Sequence, residues 1–90
     1  MPEELIQCFQ EVTEKLAQVS QKSVIGNAWA VFSMGDCLVK LAIERKVLVE
    51  QRLPYVQIGI HLTCIHASDV VEVIEKLAGL KCGALMIDLP

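Results

Sequence analysis

His61, Cys64 and His66 are the residues whose types and spacing come nearest to metal chemistry in this chain. Imidazole nitrogen and thiolate both bind zinc, and a structural site takes about four such ligands in a tetrahedron. The His-x-x-Cys-x-His spacing falls in a segment that reads as a strand, where neighbouring positions face opposite sides. His61 and Cys64 then diverge. Cys64 and His66 share a side, and Cys82 can join them only from the last strand. Cys64, His66 and Cys82 are therefore kept as a minor alternative metal or redox site, and no metal or cofactor is expected. The plainer reading makes Cys64 a core thiol and His66 a loop residue ahead of a helix.

A second group is polar. In Tyr55 to Ile65 (YVQIGIHLTCI), Val56, Ile58, Ile60, Leu62 and Cys64 line one face, and Gln57, Gly59, His61 and Thr63 line the other. The second set offers donors and acceptors, an imidazole among them, so it is the candidate ligand-binding face. Its competing readings are a solvated sheet face and a polar seam between two copies.

Catalysis has little to build on. A nucleophile needs a Ser or Cys beside a His with an orienting acid, and no such spacing is evident. Gly-rich phosphate loops are absent. Asp88 interrupts the apolar run near the C-terminus and reads as an edge charge. No catalytic residue is assigned, and an enzyme is the least supported class.

These groups must be carried by one domain spanning residues 1–90. Pro2, Glu3 and Glu4 suit a helix start, and Leu5, Phe9, Val12, Leu16 and Val19 form one stripe over a helix of residues 2–22. That stripe either docks on the chain's own sheet or forms a helix–helix dimer seam. As a seam, those five residues are the candidate interface. Ala28 to Met34 reads as a strand, and Gly35-Asp36 as a tight turn.

Residues 37–52 are ambiguous. With period two, Val39, Leu41, Ile43, Val47 and Val49 oppose Lys40, Glu44, Lys46, Glu50 and Arg52, and β-branching favours strand. Good helix formers and the lack of a turn residue in Glu44-Arg45-Lys46 favour helix. After the strand at 55–65, Ser68 caps a helix that Gly79 stops, and Cys82 to Leu89 reads as a final strand.

The strand reading of 37–52 predicts an α+β fold, a small two-layer sandwich of a mostly antiparallel sheet with two helices on one face. The helix reading predicts α/β with parallel crossover units.

Composition bounds the role. Residues from AVILMFWYC make up 53%. Counting Gly and leaving out Tyr gives about 58%, where soluble domains run about 45–50%. A domain this small cannot hide so much apolar surface alone. The expectation is a non-enzymatic interaction module that homo-oligomerises, as a dimer or with another protein partner.

A net charge of −3 argues against nucleic acid and anionic membrane surfaces, both of which call for a cationic face. No apolar run reaches the ~20 residues of a bilayer span. Export grammar is missing and the four cysteines form no close pair, so a cytoplasmic chain with reduced core thiols is expected.

Overall fold

A computed structural model describes residues 3–79 and 85–88. The order is α1 (Glu3–Val19), β1 (Lys22–Ile25), β2 (Trp29–Met34), β3 (Cys37–Leu48), β4 (Leu53–Cys64), α2 (Ala67–Leu77) and β5 (Leu85–Asp88). The strands form one sheet in the order β1-β2-β3-β4-β5. β1 to β4 are an antiparallel meander, and β5 runs parallel to β4. This is the α+β arrangement that the strand reading of residues 37–52 predicts, with a single parallel pairing after the α2 crossover.

Both helices cover one face. The α1 stripe buries Leu5, Phe9, Val12 and Leu16, and α2 buries Val73 and Leu77. They meet Ala30, Phe32 and Met34 of β2, Val39 and Leu41 of β3, and Ile58, Ile60 and Leu62 of β4 in one cluster. Period-two alternation places these strand residues on the helix side. Gly35 turns β2 into β3 with φ +61, a conformation that costs glycine nothing. Its N–H donates to Gln21 Oε1 at 2.9 Å, which ties the turn to the start of β1.

Two local expectations need correction, and a third falls partly outside the described residues. Lys22 leaves the first helix and begins β1, a four-residue edge strand whose side chains are all exposed. The α2 N-cap is His66, in extended conformation and without a side-chain capping bond, and Ser68 lies inside the helix. The final strand is described only over Leu85–Asp88; Cys82 and Leu89 lie outside the described residues.

β3 does not turn at Glu44-Arg45-Lys46. It runs on to Leu48 and pairs with β4 residue by residue, from Cys37 opposite Cys64 to Leu48 opposite Leu53. A four-residue loop closes the hairpin, with Gln51 N–H donating to Leu48 O at 3.2 Å and Arg52 at φ 52. β2 flanks β3 only to Ala42, and β5 flanks β4 only over 58–61. Past Ile43, among the described residues, the hairpin therefore projects as a two-stranded arm of about five residues per strand with no further strand beside it, ~16 Å at strand rise.

Candidate functional site

The arm is the most distinctive surface of the molecule. Val47, Leu48, Leu53 and Tyr55 on its strands are exposed, and Val49 in its loop is 85% exposed. Alternation sorts them. Arg45, Val47, Pro54 and Val56 continue the stripe that the helices cover further back, while Lys46, Leu48, Leu53 and Tyr55 continue the open face. A hollow of about 240 Å³ on the arm is lined by Arg45, Pro54, Tyr55 and Val56.

The open sheet face carries the polar group. Gln57, Gly59, His61 and Thr63 do share it, and the partner that sequence reading missed is Glu44. Glu44 lies opposite Gln57 in the register, yet its carboxylate reaches along the strand to His61, whose Nε2 donates to Oε1 at 2.6 Å. Gly59 makes the path possible, because a Cβ there would collide with Glu44 Oε1. Lys46 Nζ stands 3.4 Å from Glu44 Oε2. The His61 bond, reinforced by Lys46 and opposed by partial burial, holds the Glu44 carboxyl below its ordinary range. Period-two parity plus the hairpin register would have found this pair.

Gln57 is buried, and among the described residues its Oε1 has no hydrogen-bond partner. A buried unpaired acceptor costs about 1–3 kcal/mol. Thr63 stands apart from Gln57, about 20 Å along the strand at six residues' rise. It lines a different hollow of about 460 Å³ at the far end of the hairpin, together with Cys37 and Cys64.

The cysteines depart from expectation. Cys37 and Cys64 are joined by a disulfide across β3 and β4, and no described cysteine is a free thiol. The bond forms because register places the two residues opposite each other, with Cα atoms 4.1 Å apart. Of the metal alternative built on Cys64, His66 and Cys82, the Cys64 sulfur is bonded to Cys37, His66 is the N-cap of α2, and Cys82 lies outside the described residues. Among the described residues, no group of three or more His, Cys, Asp or Glu is placed to hold a metal ion.

The α1 stripe has a definite place too. Leu5, Phe9, Val12 and Leu16 are packed inside the protomer, and only Val19, at 55%, is exposed. A dimer seam through those four would require α1 to leave its own sheet. Among the described residues no helix is long and apolar enough to cross a membrane.

No family model, curated protein or solved structure matches this chain.

Proposed function

We propose that this chain is a non-enzymatic interaction module that works by associating with itself. The observation that carries the reading is its surface. The chain exposes 6183 Å². A compact monomer of 9.9 kDa exposes about 5,200 Å² by the usual mass scaling. The surplus of about 1,000 Å² is close to the ~800 Å² that each partner contributes to a standard interface. Shape agrees: the radius of gyration is 13.4 Å against about 12 Å for a compact chain of this length. The apolar excess in the sequence supports the same reading. The disulfide favours an oxidising compartment over the reducing cytoplasm expected from sequence.

Thermal unfolding at increasing protein concentration tests the proposal. Binding between folded copies raises the melting temperature by mass action. A melting temperature that stays constant over a hundredfold concentration range contradicts it.

A second reading keeps Gln57, Gly59, His61 and Thr63 as a ligand face, and the unpartnered Gln57 Oε1 favours it. The ligand would carry an N–H or O–H donor. A thermal-shift screen of such donors tests it, and a shift that survives Gln57→Leu removes that face from consideration.

A further inference from the structure

Resting on the self-association reading, we infer that the β3–β4 arm is the contact element and that its occupant is the acidic helical layer of a second copy. The arm's inner stripe, Arg45, Val47, Pro54 and Val56, is the outward continuation of the stripe that α1 and α2 cover nearer the sheet centre. Within the protomer that side of the sheet is covered by amphipathic helices. On the arm, among the described residues, the helical cover has run out, with Val47 still 59% exposed.

Charge selects the same partner surface. Four glutamates against Lys15 on α1, and three acids against Lys76 on α2, leave the helical layer at −5. The arm between residues 43 and 57 carries Arg45, Lys46 and Arg52 against Glu44 and Glu50, a net +1. Glu44 is already engaged by His61 and Lys46. The helices also offer apolar footholds, because Ile6, Val19 and Val71 are exposed.

Edge-to-edge strand addition fits the arm less well. Pro54 has no N–H to donate, and charged residues on a strand edge discourage pairing. Docking by the face of the arm remains. If each arm reaches the partner's helices, the contact is two-fold, closes on itself and uses both arms.

Sedimentation velocity at micromolar concentration tests this on the full chain and three variants. One shortens the arm by replacing residues 45–56 with Asn-Gly, a loop that suits a two-residue hairpin. The others are Val47→Glu and Val47→Lys, at an exposed position where folding is unaffected. Far-UV circular dichroism and Trp29 fluorescence report the fold, since Trp29 lies outside the arm.

The expected result is a dimeric parent, a monomeric shortened chain, at least tenfold weaker association for Val47→Glu, and a smaller loss for Val47→Lys. A dimeric parent whose shortened and Val47→Glu forms stay equally dimeric overturns the arm but leaves self-association standing. Equal losses for Glu and Lys overturn the acidic occupant. A monomeric parent removes both this inference and the reading beneath it.

Discussion

The two ends of the β3–β4 hairpin share two strands, one register and one alternating pattern, yet they meet opposite fates. Near Cys37 and Cys64 the strands lie under helices and between neighbours, and Val39, Leu41, Ile58 and Ile60 have no exposed surface. Beyond Glu44 the same inner stripe continues through Val47 and Val56 with no strand beside it among the described residues. Alternation fixes which way a side chain points. Burial depends on what else in the chain is long enough to cover it. Here, among the described residues, the helical cover ends before the hairpin does, and Val47 stays 59% exposed.

Core truncations should expose that contrast most strongly. Ile60→Ala is expected to cost about 3–4 kcal/mol, through lost burial plus the cavity left behind. Val47→Ala should cost less than about 0.5 kcal/mol of protomer stability, as an exposed substitution does. Urea unfolding, at a concentration low enough to keep the chain monomeric, measures both. Comparable losses at the two sites would mean that the arm is already covered within one copy.

Next comes the clamp at the buried end. Cys37 and Cys64 are 27 residues apart in sequence, and closing a loop of that length stabilises by about 3.5 kcal/mol in the chain-entropy account. The double variant Cys37→Ala, Cys64→Ala should lose about 2–4 kcal/mol, read as a lower urea midpoint. An unchanged midpoint would show that strand pairing alone fixes that end.

The Glu44–His61 pair marks the boundary between the two ends. Glu44 titrates below its ordinary 4.5. Its contribution is therefore fully present above that value and is lost as pH falls through the lower folded value. Glu44→Gln should cost about 0.5–1 kcal/mol near neutrality, in keeping with a partly exposed pair. The gap from the parent should close as pH drops below about 4.5. A gap that persists at low pH would assign the loss to packing instead.

The smallest effect belongs to the arm's loop. Arg52 holds φ 52, a left-handed conformation that costs a side chain roughly 1–2 kcal/mol, part of which glycine gives back as unfolded-state entropy. Arg52→Gly should raise protomer stability by about 0.5 kcal/mol in the same urea measurement. A loss instead would show that the Arg52 side chain holds the loop in place.

Much of this architecture was legible in the residues. The spacing of Leu5, Phe9, Val12 and Leu16 located a helix and its buried side, and period two in YVQIGIHLTCI sorted both faces of β4. β1 was hidden because Lys22-Ser-Val-Ile is short and wholly exposed, so no burial pattern marks it. The length of β3 was hidden because the good helix formers around Glu44-Arg45-Lys46 suit a helix as well as a strand. The disulfide followed from that same missing register. Once the hairpin closes between Leu48 and Leu53, Cys37 must stand opposite Cys64, but sequence separation alone does not say where the hairpin closes. Glu44 joined the polar face for the same reason.

Self-association, as proposed, fixes the mass of the chain in solution. Light scattering coupled to gel filtration gives the mass of the unmodified, oxidised chain across micromolar concentrations. The predicted result is a species of twice 9.9 kDa that dissociates on dilution. A constant mass of 9.9 kDa throughout that range would contradict it.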